Sequence, residues 1–253
     1  MLRREGRAAF IPYFTAGYPS VEACGDALRR AEAAGADLVE VGLPFSDPLA
    51  DGPTIQRSTQ AALERGVDVA TTLELIRAAG LRVPVVIMTY LNPVLAYGVE
   101  RFLAQAGAAG VSGLLLTDLP AGADPELEGR LARGPLAVIR LVAPTTSDER
   151  LRQAVRGASG FMYFISRLGV TGARDAVPED LEAQVARLRA ATPLPVVVGF
   201  GLSTPEQAAR AARAADGVVV GSALVEALTS GGPAAAERLM TALVAAVRRR
   251  SAG

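Results

Sequence analysis

Short apolar runs alternate with Ala-rich segments bearing Arg and Glu along the whole chain. The apolar runs are Ala9–Phe14, Leu38–Val41, Val85–Met88, Leu114–Leu116, Ala137–Leu141, Phe161–Ile165, Val196–Val198 and Val218–Val220. Nearly continuous apolar runs rich in Val and Ile suit parallel strands covered by helices. Between them the pattern predicts helices over Val21–Ala34, Val69–Ala79, Val99–Ala108, Pro125–Arg133, Asp148–Val155, Pro178–Ala190, Pro205–Ala214 and Pro233–Arg249. Thr204-Pro205-Glu206-Gln207 supplies an N-cap, a proline at the first helical position and a Gln that closes a capping box. Strict strand–helix alternation without a linker predicts an α/β fold, a single (β/α)8 TIM barrel over residues 1–253. An open doubly wound sheet is the alternative.

Two connections are longer than the rest: Gly42 to Gly66 after the second strand and Ser166 to Val177 after the sixth. In such a barrel the loops that follow strands build the catalytic face, and long loops in a compact domain are usually functional.

Composition narrows the chemistry. Among 253 residues there is no His, all 26 basic residues are Arg, and there is one cysteine, Cys24. Without Lys there is no Schiff base or covalently held pyridoxal phosphate; without His there is no imidazole base or Ser-His-Asp triad. A lone Cys gives no plausible zinc site and no internal disulfide, so no metal is expected. Cys24 reads as a packing residue of the first helix. Basic and acidic residues balance at 26 each, and only 5% of residues are aromatic, which offers nucleic acid neither an electrostatic footprint nor a stacking platform. The longest charge-free stretch, Val83 to Val99, is broken by Asn92, Pro93 and Gly98 and falls short of a membrane span. The basic start is followed by an apolar part broken by Pro12 and Pro19, which argues against a signal peptide. Arg248 to Arg250 suits a helix C-terminus.

Proton chemistry therefore falls to Asp, Glu, Tyr or Cys. Glu40 sits inside an otherwise apolar strand, with Leu38 on its own side and Val39 and Val41 on the other. Lost hydration raises the pKa of such a carboxyl and makes it a candidate acid/base; a structural Glu bridged to Arg or backbone amides is the alternative. Asp51 lies eleven residues on, in a loop stiffened by Pro44, Pro48, Gly52 and Pro53, where Asx-turn duty is an equal explanation. Glycine-bearing turns follow the last three strands at Gly169–Gly172, Gly199–Gly201 and Gly221-Ser222. Exposed amides beside a helix N-terminus form an anion site that needs no cation, so a phosphate site competes with mere tight turns and caps. Tyr163 and Tyr90 could donate hydrogen bonds or simply belong to the core.

The stretch Glu40-Val41-Gly42-Leu43-Pro44-Phe45-Ser46-Asp47-Pro48-Leu49-Ala50-Asp51-Gly52-Pro53-Thr54-Ile55-Gln56 resembles the signature of the tryptophan synthase alpha chain family. Ser166–Gly172 and Gly199-Phe200-Gly201 resemble it too, in matching order and spacing, and the similarity covers essentially the whole chain. Members of that family often begin with an additional helix, whereas the first apolar run here starts within about ten residues of Met1.

The resemblance implies retro-aldol cleavage of indole-3-glycerol phosphate to indole and glyceraldehyde 3-phosphate, a carbon–carbon lyase reaction needing neither imine nor metal. It implies that Glu40 is the acid/base and that Asp51 accepts the indole N–H. Tyr163, Phe200, Thr171, Tyr90 and Leu115 would contact substrate, with Thr171 closing over Asp51, and Gly172, Gly201, Gly221 and Ser222 would hold the phosphate. Pro44, Asp47, Pro48, Asn92, Asp118 and Pro120 would face a tryptophan synthase beta chain in an alpha2beta2 assembly. No cofactor is expected in this chain, pyridoxal phosphate belonging to the beta partner, and the expected location is cytoplasmic. A stand-alone indole-releasing lyase, a silent phosphate-binding subunit and a phosphosugar isomerase are the competing readings.

Overall fold

The computed structural model describes residues 7–165, 180–199 and 201–248. Eight strands, β1 (Ala9–Thr15), β2 (Val39–Gly42), β3 (Val85–Thr89), β4 (Val111–Leu116), β5 (Ala137–Val142), β6 (Met162–Ile165), β7 (Val196–Gly199) and β8 (Gly217–Val220), close into a barrel in chain order. Parallel pairing of β1 with both β2 and β8 closes the ring and rules out the open sheet. Strand alternation divides the core in two. Phe10, Phe14, Val39 and Val41 join the apolar layer beneath the helices, whereas Ala9, Ile11, Tyr13, Val86, Met88 and Leu115 fill the barrel interior. Cys24 is fully buried under its helix, where loss of hydration pushes the thiol up to about 11, as suits a packing residue.

Helices fall in the predicted intervals, and Thr204 with Gln207 forms the complete capping box. Three departures stand out. Much of the long connection after β2 is helical, at Pro53–Glu64: Pro53 presets the first turn, and Ile55, Ser58, Thr59 and Ala62 bury one face at helical spacing. A helix not predicted, Leu91–Tyr97, follows β3. Pro93 falls in its first turn, where a missing N–H removes no helical bond, and the Leu91 N–H donates to Asp118 Oδ1 at 2.7 Å. The last helix begins at Ser222, directly after β8, and continues past a break at Gly231 and Gly232 to Arg248, rather than starting at Pro233. The loop Ser166 to Val177 and the first residues of the helix predicted from Pro178 lie outside the described residues; that helix is seen from Leu181 to Ala191.

Candidate active site

One pocket opens where the strands end, and its described lining comes from β1, β2, β3, β6, β8 and the connections that follow them. Its empty volume, counted out to the mouth, is about 960 Å³. Glu40, Asp51, Tyr163, Gly201, Gly221 and Ser222 all face it, bringing together residues spread over most of the chain. Ile55, Met88, Leu202 and Val219 supply apolar walls of the kind a flat heterocycle would pack against.

Glu40 is 2% exposed, and among the described residues neither carboxyl oxygen has a hydrogen-bond partner. Among the described residues, then, no Arg or amide bridges Glu40, as the structural alternative would require. Burial, reinforced by the nearby charge of Asp51, pushes the Glu40 carboxyl up to about 8. Asp51 is raised less, to about 6, because a hydrogen bond from the Tyr90 hydroxyl offsets part of its burial. That hydroxyl donates to Asp51 Oδ2 at 3.2 Å and accepts the Ala50 N–H at 2.9 Å, so Tyr90 fixes the loop as well as the carboxylate. Around neutral pH the pair holds one proton, on Glu40, and one negative charge, on Asp51. Two carboxyls driven apart in this way divide acid and base roles between them.

Two tyrosines pack their hydroxyl ends against glycines on the neighbouring strand. A methyl group on Gly42 would lie 2.0 Å from the Tyr13 oxygen, and one on Gly199 would lie 2.2 Å from that of Tyr163. Glycine on β2 and β7 is what allows both phenols to reach the pocket. Tyr13, Thr54, Ser203 and Glu226 line the pocket but were not singled out by the sequence. For Tyr13 the signal was present: the two-residue alternation of Ile11 and Tyr13 places both on the inner face. Glu226 and Thr54 meet only through tertiary packing, at 2.7 Å.

At the far end, Gly201 adopts a left-handed φ of 80°, and Gly221-Ser222-Ala223 lead into the last helix. The first N–H groups of a helix have no partner within it, and this end carries partial positive charge, as an anion site requires. Gly221 also presses against the Tyr13 ring, where an added methyl would come within 3.3 Å of it.

The other expected positions divide. Tyr90 acts on Asp51 rather than lining the pocket, and Leu115 is fully buried in the barrel-interior cluster. Thr171, Gly172 and Phe200 lie outside the described residues. Asp47, Asn92, Asp118 and Pro120 are exposed, Pro48 is half-buried and Pro44 is buried. Asp118 additionally caps the Leu91–Tyr97 helix. Two large apolar side chains stand out beside this set, Leu49 at 89% and Leu95 at 49% exposure. Among the described residues no cluster of acidic, Cys or His side chains could hold a metal, and no helix is long and apolar enough to cross a membrane.

The fold and the sequence are shared with known proteins. Residues 1–250 match the family model described as tryptophan synthase alpha chain. The tryptophan synthase alpha chain of Acidiphilium cryptum is 48% identical over 266 residues, covering 99% of this chain and 96% of that one. That of Gluconacetobacter diazotrophicus is 50% identical over 230 residues, covering 90% and 84%. Among solved structures, a chain of Mycobacterium tuberculosis tryptophan synthase superposes with a TM-score of 0.90 at 43% identity, covering 98% and 96%. The tryptophan synthase alpha subunit of Legionella pneumophila gives 0.89 at 35% identity, covering 97% and 95%.

Proposed function

Because the chain belongs to the tryptophan synthase alpha chain family, we propose that it cleaves indole-3-glycerol phosphate to indole and glyceraldehyde 3-phosphate, as one catalytic unit spanning residues 1–253. The observation that carries this reading is the pairing of Glu40 and Asp51 in one pocket, protonated and ionised respectively near neutrality.

The chemistry follows from those charge states. The Glu40 carboxyl gives its proton to the indole ring carbon that bears the side chain. The ring becomes a cation, which the Asp51 carboxylate stabilises through the indole N–H. The Glu40 carboxylate then takes the proton of the adjacent side-chain hydroxyl. The carbon–carbon bond breaks, its electrons return to the ring, and indole and an aldehyde result with Glu40 reprotonated. No imine or metal is required, because the protonated ring accepts the electrons. The phosphate is assigned to the amides near Gly201, Gly221 and Ser222, and the resemblance adds Gly172 to that set. Tyr163 lines the pocket, and the resemblance gives Thr171 and Phe200 substrate-side roles; Leu115, fully buried and absent from the described lining, belongs to the barrel interior instead.

The partner in this reading is a tryptophan synthase beta chain in an alpha2beta2 assembly, which holds the pyridoxal phosphate and receives the indole; the setting is the cytoplasm. Asp47, Pro48, Asn92, Asp118 and Pro120 form the facing surface, with Pro44 buried beneath it, and exposed Leu49 and Leu95 supply apolar area to bury there. The test is release of glyceraldehyde 3-phosphate from indole-3-glycerol phosphate, with and without beta chain. Slow cleavage alone and a many-fold rise with beta chain are expected; no cleavage in either case would refute the activity.

A further inference from the structure

The inner face of β1 carries a second set of polar groups that the chemistry above does not use. The Tyr13 hydroxyl lies 3.4 Å from Thr15 Oγ1, which lies 2.7 Å from Ser58 Oγ, and that hydroxyl lies 2.8 Å from the Ile55 carbonyl oxygen. All of these contacts are buried, and of the three hydroxyl-bearing residues Tyr13 is the one in the described pocket lining. A carbonyl only accepts, so one assignment of the three hydroxyl protons makes every contact: Ser58 donates to Ile55, Thr15 to Ser58 and Tyr13 to Thr15. With its proton turned away along this row, the phenolic oxygen of Tyr13 offers the pocket lone pairs alone.

We propose that Tyr13 orients the substrate by accepting a hydrogen bond from a hydroxyl of its side chain, in a direction set by Thr15 and Ser58. This rests on the reading given under Proposed function. Position selects that hydroxyl. Tyr13 pairs in register with Glu40, its ring lies against Gly221 at the phosphate end, and its oxygen lies against Gly42, two residues beyond Glu40. The ring thus spans the distance between the acid and the phosphate site, and the part of the substrate that joins heterocycle to phosphate there carries two hydroxyls. Tyr13 stays neutral, since burial and the charge of Asp51 hold its proton on.

The test pairs the substrate with its analogue in which both side-chain hydroxyls are replaced by hydrogen. In Tyr13→Phe the KM for indole-3-glycerol phosphate should rise roughly two- to tenfold, the worth of one neutral hydrogen bond, while the inhibition constant of the dideoxy analogue stays unchanged. A merely structural role would move both. Ser58→Ala, which keeps the phenol but frees the Thr15 proton to turn towards it, should raise the KM by a smaller factor, again without affecting the analogue. Parallel losses for both ligands, or no loss for the substrate, in Tyr13→Phe overturn the role of Tyr13. An unchanged KM in Ser58→Ala beside a raised one in Tyr13→Phe overturns the assigned direction. Wild-type protein that fails to cleave the substrate overturns the underlying reading, and this proposal with it, and is distinguished by appearing before any substitution is made.

Discussion

The carboxyls of Glu40 and Asp51 share one pocket yet sit on opposite sides of neutrality, at about 8 and about 6: burial raises both, the charge of Asp51 raises Glu40 further, and the Tyr90 hydroxyl offsets part of the burial of Asp51. That asymmetry is the source of most of what can be measured.

Glu40→Gln keeps the shape of the side chain and removes its proton. Cleavage should fall by about 10² to 10⁴, the usual cost of losing a positioned acid/base. The same variant should be more stable than wild type in alkali. The folded-state pKa lies above the ordinary 4.5, so the folded protein holds a proton that the unfolded chain releases. Wild-type stability therefore declines as pH rises from about 4.5 to about 8. Denaturant melts at pH 5 and pH 9 should show the gain of Glu40→Gln, of order a few kcal/mol, at the higher pH. A gain equal at both would contradict the burial assignment.

The pH dependence of kcat/KM should be bell-shaped, with limbs near 6 and 8 belonging to the carboxyl pair as a coupled unit. Asp51→Asn should erase the lower limb. It should also move the upper limb down, because the Asp51 charge helps to hold the proton on Glu40. An upper limb that stays in place would mean that the two groups do not interact.

Tyr90→Phe removes the hydrogen bond that lowers the Asp51 pKa. The lower limb should shift to higher pH and the plateau between the limbs should narrow. Because the same hydroxyl accepts from the Ala50 N–H, a loss of about 1 kcal/mol in stability should accompany the shift. A pH profile superposable on wild type would sink the assignment.

Gly42→Ala places a methyl 2.0 Å from the Tyr13 oxygen, and Gly199→Ala places one 2.2 Å from that of Tyr163. Each phenol must then leave its position or the strands must part. Overpacking of this kind costs about 1 to 3 kcal/mol. Both variants should unfold at lower denaturant concentration and lose turnover. Full retention of both properties would show that the phenols are not held where the barrel places them.

Much of the architecture was legible in the order of residues. Val- and Ile-rich runs spaced by amphipathic segments can bury their apolar faces in few ways, and Glu40 among Val39 and Val41 was already a charge where none is comfortable. The capping box at Thr204 is written in four consecutive residues and formed as read. Local chemistry decides such features, so the sequence suffices for them. It misjudged Leu91–Tyr97 and the start of the last helix. A proline inside the first looked like a break, and the cap that rescues it comes from Asp118, 27 residues away. Closure of the sheet, the deep burial of Glu40, the grip of Tyr90 on Asp51 and the passage of Tyr13 along Gly42 depend on which strands become neighbours. Side-chain alternation fixes which face a residue takes, but distances across a barrel interior exist only once all eight strands have met, and the charge states of its acids are set by those distances.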